Sequence, residues 1–172
     1  TDYKIYINTA DGKTIYTIYK NGKAITKNEY VYIEYLNNNY FIACNLEGKL
    51  GVIDENENTK IAFNYNSIQK IEGTDLVQTT QNDTNTIEIY SKDLSKITEL
   101  KNGNIEKHTD YIKLYNNDEI KYVSKDGKEI KLTSPREAIA NSIGYVPEDR
   151  LSEGLFLTQS IGDNIIISEI DK

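Results

Sequence analysis

Two groups of acidic residues stand close enough together to do chemistry: Asp54, Glu55 and Glu57 within "DENEN" (54–58), and Asp118 beside Glu119. Paired carboxyl groups facing one another across a sugar linkage can hydrolyse it, one as proton donor and the other as base or nucleophile. Their settings argue for another use. The first group lies in a hairpin turn and the second in a polar connection, where acidic side chains ordinarily face solvent. "DENEN" also lacks the Asp-x-Asp-x-Asp-Gly order and the distant bidentate Glu of a calcium loop. Cys44 is the single cysteine and sits in the apolar run "YFIACNL", so it reads as a small buried hydrophobe rather than a reactive thiol. His108 is the single histidine, in the polar stretch "NIEKHTDY", and reads as a surface residue with no partner to make it a base.

The whole chain bounds the possibilities further. Its 172 residues are enough to bury a real core, and 14 Tyr with abundant Ile argue against disorder. A net charge of −7 sets nucleic acid aside as a partner, because phosphate backbones are bound by basic faces. One cysteine allows neither a disulfide framework nor a thiolate metal cluster. No run approaches the roughly 18 apolar residues of a membrane-spanning helix, and no signal-peptide pattern opens the chain. Thr1 and the lack of any Met point to a processed or trimmed start, so an upstream signal or anchor stays open.

Composition changes abruptly after residue 133. Residues 1–133 contain no Pro and no Arg, but hold 13 of the 14 Tyr; residues 134–172 hold both prolines, Pro135 and Pro147, and both arginines, Arg136 and Arg150. Two domains are therefore expected, a β-repeat domain over 1–133 and a short α/β tail over 134–172.

The repeat emerges when four segments are laid over one another: "IYTIYKNGKAI" (15–25), "GVIDENENTKI" (51–61), "IEIYSKDLSKI" (87–97) and "IKYVSKDGKEI" (120–130). Their final Ile residues fall at 25, 61, 97 and 130. Each segment alternates apolar and polar residues, crosses a turn rich in Gly, Asn and Asp, and returns, which is the pattern of a β-hairpin. In "YVYIEYL" (30–36) both faces of the strand carry bulk, which suits a sheet covered on both sides. The sequence thus predicts a mainly β fold: about four hairpin repeats of period about 36, blade-like or stacked, each completing its neighbour's core.

"GKLGVIDENENTKIAFNYNSIQKI" (48–71) resembles the bacterial WG-repeat family, with Leu50 where that family places tryptophan. The resemblance implies an interaction scaffold for an unknown protein or glycan and brings no catalytic residues. A surface rich in Tyr, Asn and Lys would also suit a glycan- or protein-binding module, although sheet packing is the favoured account of the tyrosines.

The tail follows different rules. Ser134 as N-cap, Pro135 at the first helical position, Glu137 three residues after the cap and Gly144 as a stop predict a helix. "YVPED" reads as a short strand, "RLSEG" as a loop, and Ser160 as the N-cap of a second helix. Residues 134–165, with "GYVPEDR", "EGL" and "SIGDNI", closely resemble the second nucleotide-binding cassette of bacterial monosaccharide ABC importers, and "DGKEIKLTSPREAI" (126–139) carries the likeness back into the last hairpin. By that resemblance Glu148 holds the Q-loop glutamine position, Asp149 and Arg150 continue the loop, ATP and Mg are the family's cofactors, and a transporter membrane subunit at the cytoplasmic face is the partner. The repeat domain, by contrast, could be extracytoplasmic. A phosphate-binding loop needs G-x-x-x-x-G-K-[ST], which does not occur, and no signature motif or metal-binding acid is found. The chain is therefore expected to bind no cofactor and to be no enzyme. The alternative is a truncated or atypical importer ATP-binding component.

Overall fold

The computed structural model describes residues 3–131, together with Glu137 and Thr158. The chain divides into two units, Thr1–Lys131 and Leu132–Lys172. The two helices and the strand expected within 134–172 lie outside the described residues.

The first unit is a series of antiparallel meanders in which strands adjacent in sequence are neighbours in space. The first sheet contains β1 (Tyr3–Ala10), β2 (Lys13–Lys20) and β3 (Lys23–Ala24). The second contains β4 (Tyr32–Asn37), β5 (Tyr40–Cys44), β6 (Leu50–Asp54) and β7 (Thr59–Tyr65). β8 (Ser67–Lys70), β9 (Val77–Gln81), β10 (Thr86–Tyr90) and β11 (Lys96–Lys101) form the third. β12 (Asn104–Lys107), β13 (Tyr111–Tyr115), β14 (Ile120–Ser124) and β15 (Glu129–Ile130) form the fourth. The four segments aligned in the sequence are the hairpins β2–β3, β6–β7, β10–β11 and β14–β15, the last two strands of each sheet. The expected array of hairpin repeats is thus the observed fold.

Four of the connecting turns share one geometry that explains their composition. In 45–49, 54–58, 91–95 and 124–128 the first residue, Asn45, Asp54, Ser91 or Ser124, donates its N–H to the carbonyl of the fifth at 2.9–3.0 Å. Its side-chain oxygen accepts the N–H of that same fifth residue at 2.9–3.2 Å. Short oxygen-bearing side chains reach their own backbone this way, hence Asn, Asp and Ser at the first position. The fourth residue must adopt positive φ, and it is Gly48 and Gly127 in two turns but Glu57 (φ 62) and Leu94 (φ 65) in the others. Each non-glycine is held by a contact. The Glu57 carboxylate accepts the N–H groups of Lys27 and Asn28, at 2.7 and 3.0 Å, and Leu94 is buried in the core.

Three apolar layers join successive sheets. Ile18 of the first sheet packs with Ile33, Phe41, Ala43 and Ile53 of the second. Leu36, Ile42, Val52, Ile61 and Tyr65 of the second pack with Ile68, Val77 and Tyr90 of the third, and with Leu94. Ile87, Ile89 and Leu100 of the third pack with Ile112, Leu114 and Val123 of the fourth. The middle sheets are consequently buried on both faces: along β5, Phe41 and Ala43 join the first layer and Ile42 the second. Each such side chain contributes roughly 1.5–3 kcal/mol by leaving water.

Gly51 allows the tightest approach within this packing. A Cβ there would lie 2.8 Å from the carbonyl oxygen of Ile61 and 2.9 Å from Cγ of Phe63. Gly51→Ala is expected to cost about 1–3 kcal/mol by forcing β6 and β7 apart. Leu94→Gly is expected to destabilise as well, because losing a buried leucine, at roughly 2–5 kcal/mol, outweighs relief of about 1 kcal/mol of backbone strain. Urea unfolding midpoints of the two variants check both expectations. A Leu94→Gly protein as stable as the parent would mean that strain, not burial, governs that turn.

Candidate functional site

The acidic residues at 54–57 are structural ties. The Asp54 carboxylate accepts the N–H groups of Asn56 (2.8 Å) and Asn58 (2.9 Å) and the Asn58 amide (2.9 Å), and it pairs with Lys60 at 3.2 Å. Partial burial works to raise its pKa, but these donors prevail and hold it down at about 2. Glu55 reaches across to the first sheet, where it accepts from the Tyr3 hydroxyl and pairs with Lys20. Asp54, Glu55 and Glu57 are half-buried and engaged, whereas the sequence suggested solvated turn residues. Asp118 and Glu119 are exposed, as expected of a polar connection.

The remaining singled-out residues have equally plain settings. Cys44 is half-buried, and burial raises its thiol pKa, which disfavours the reactive thiolate. The His108 ring stacks on Tyr111 with centroids 4.4 Å apart, and its Nε2 lies 3.5 Å from Glu106. Glu148, Asp149 and Arg150 lie outside the described residues. Among the described residues no group of three or more His, Cys, Asp or Glu is placed to hold a metal ion.

One Gly-Lys-Thr passed over in reading the sequence, Gly12-Lys13-Thr14, has the end of a phosphate-binding motif but Ile7 where the spaced glycine belongs. It forms the tight turn between β1 and β2, with Gly12 at φ 74, rather than a loop opening a helix. Thr14 Oγ lies 3.2 Å from Thr9 Oγ, and Lys13 pairs with Glu29 at 3.2 Å.

Little in the sequence warned of a buried polar cluster between the second and third sheets. Glu88, in the middle of β10, is 9% exposed. It accepts from the hydroxyls of Tyr65, Tyr90 (2.8 Å) and Thr79 (3.3 Å), and Lys96 lies 3.4 Å away. The two tyrosine hydroxyls lie 3.1 Å apart. The available signal was a Glu between two isoleucines in "TIEIY". Burial works to raise the Glu88 pKa, but the tyrosine hydroxyls and the Lys96 ammonium outweigh it and hold the carboxyl below its ordinary value. The Tyr90 hydroxyl is pushed up, chiefly by burial and by the bonds to Tyr65 and Glu88. This arrangement fixes two sheets against one another.

A carboxylate with a depressed folded-state pKa contributes stability above its unfolded value and loses it as pH falls through the folded value. Stability should therefore fall in acid, from about pH 4.5 for Glu88 and from about 3.8 toward 2 for Asp54. Glu88→Gln should cost roughly 1–3 kcal/mol at neutral pH, less than a fully buried pair because Lys96 is half open to water. It should also make stability less sensitive to acid. Urea unfolding at a series of pH values from 7 to 2 reads both effects.

Comparison with known proteins finds two kinds of likeness. No family model matches the chain. A segment of 50 residues is 52% identical to a Rhizobium etli protein named for ribose, galactose and methyl galactoside import as an ATP-binding protein, over 29% of this chain and 10% of that one. The ribose import ATP-binding protein RbsA of Clostridium tetani is 51% identical over 45 residues, 26% of this chain and 9% of that one. The xylose import ATP-binding protein XylG of Brucella abortus is 43% identical over 47 residues, 27% and 9% respectively. The chain thus spans about a tenth of the length of the curated relatives it matches. Among solved structures, BamB from Moraxella catarrhalis aligns with 73% of this chain and 48% of its own, at 12% identity and a TM-score of 0.34. The similarity to sugar-import ATP-binding proteins is therefore established for about 50 residues, while the resemblance of 48–71 to WG-repeat proteins is not borne out by any of these matches.

Proposed function

We propose that the β-repeat unit is a non-enzymatic interaction scaffold of WG-repeat type, and that the chain carries with it a catalytically incomplete piece of a sugar-importer ATP-binding subunit. The observation that carries this reading is the engagement of the chemically able side chains in structure. Asp54 caps its own turn, Glu55 and Glu57 bind the first sheet and its exit, and Glu88 joins two sheets. Phosphoryl transfer also needs a glycine-rich cradle with Lys and a hydroxyl residue, together with a metal-holding acid. The Gly12-Lys13-Thr14 turn supplies the last three letters of that cradle on a hairpin of the wrong geometry.

In this reading the importer-like segment meets the repeats inside a folded element. A 50-residue match that includes the motifs of 134–165 cannot fit within residues 134–172. It begins at or before Val123 and so takes in the 124–128 turn and β15, which pairs with β14 through Tyr122–Ile130 and Val123–Glu129.

A second reading draws on the 52% and 51% identities: an atypical importer component that docks on a transporter membrane subunit through the loop around Glu148. Isothermal titration of Mg–ATP into the 172-residue chain separates nucleotide binding from a scaffold role. No saturable heat is expected, and saturable binding would refute the non-enzymatic reading. Loss of a membrane-subunit complex on Glu148→Ala would favour the second.

A further inference from the structure

Asn-Gly occurs twice in the chain, at Asn21-Gly22 and Asn102-Gly103. In such a pair the backbone nitrogen of the glycine can attack the asparagine side-chain amide, because glycine has no Cβ to shield it. Sequence does not separate the two pairs, but the fold does. Both asparagines are exposed and left-handed, each with φ 50. Gly22 is exposed too, and beyond its chain neighbours no atom lies within 4 Å of the place a Cβ would take. Gly103 is buried, and a Cβ there would stand 3.0 Å from Cγ and Cδ2 of Leu100, which belongs to the layer between the third and fourth sheets.

Asn21 and Gly22 form the whole connection between β2 and β3. The middle places of the corresponding turns stay exposed in the later repeats, where a preceding sheet lies alongside: Asn56, then Lys92 with Asp93, then Lys125 with Asp126. Exposure at Asn21 therefore belongs to the hairpin tip. β3 is two residues long and held by the pairs Tyr19–Ala24 and Lys20–Lys23, after which the Ile25 N–H donates to the Ile18 carbonyl at 2.9 Å. Ring closure rotates Asn21 out of its turn conformation, so the hairpin must open, and so short a strand opens at little cost.

We propose that Asn21 is a self-modification site, converted to aspartate and isoaspartate by attack of the Gly22 nitrogen, and that the isoaspartate product releases β3 from β2. The Gly22 nitrogen gives up its proton to solvent and bonds to Cγ of Asn21, while the bond from Cγ to the side-chain nitrogen breaks and ammonia leaves. Water then opens the succinimide, so water is the one co-reactant and nothing is oxidised or reduced. Opening at Cγ leaves aspartate in a normal backbone. Opening at the backbone carbonyl routes the main chain through the side chain and adds a methylene to a turn of two residues. Either product sets a carboxylate between Lys20 and Lys23, where Lys20 pairs with Glu55 of the second sheet. The inference goes beyond the scaffold reading and stands without it.

The test is to incubate the full chain at pH 6 and pH 8, folded and in concentrated urea, digest it after glutamate, and follow positions 21 and 102 by tandem mass spectrometry. In the folded protein position 21 should convert at least tenfold faster than position 102, and faster at pH 8 because the attacking nitrogen must lose its proton. In urea the two rates should converge. Equal rates in the folded protein overturn the proposal, as does a position 21 that converts in urea but not in the folded chain. In the isoaspartate fraction the Ile25 amide should exchange with solvent at least tenfold faster than in the parent, and unchanged protection there overturns the release of β3.

Discussion

A narrow four-stranded sheet with bulky side chains on both faces has nowhere to hide them by itself. Every layer of this protein follows from that constraint. Phe41 and Ala43 need the first sheet, Ile42 and Val52 need the third, and Ile87 with Ile89 need the fourth. Stability is accordingly a property of neighbouring pairs of sheets rather than of any single repeat. The shared turn geometry matters because it delivers each returning strand in the register that keeps apolar residues facing the next sheet. A slip of one residue would exchange the two faces of a strand.

Much of this was open to inspection in the sequence, because hairpins are local. The isoleucines at 25, 61, 97 and 130 marked the spacing, and Lys-Asn-Gly-Lys and Lys-Asp-Gly-Lys marked turns whose residues accept positive φ. Bulk on both faces of 30–36 foretold a sheet covered on both sides. What escaped was long-range. Glu55 meets Tyr3 across 52 positions and Lys20 across 35, and Glu88 meets Tyr65 across 23. Such meetings depend on which sheet lies against which, and no window of residues carries that information. Turn acids therefore looked solvated when they were tethers, and the glutamate between isoleucines drew no notice. The Q-loop-like residues 148–150 were legible only as a resemblance.

The buried Glu88 cluster has a consequence for how such an array can change over generations. Apolar layers are interchangeable: a repeat with leucine and isoleucine on both faces can be duplicated, deleted or moved and still find cover. A carboxylate set between two tyrosines, a threonine and a lysine accepts only the partner that brings Tyr65. The second and third repeats are therefore an ordered couple, and their junction is a fixed point about which the array can be lengthened or shortened but not shuffled.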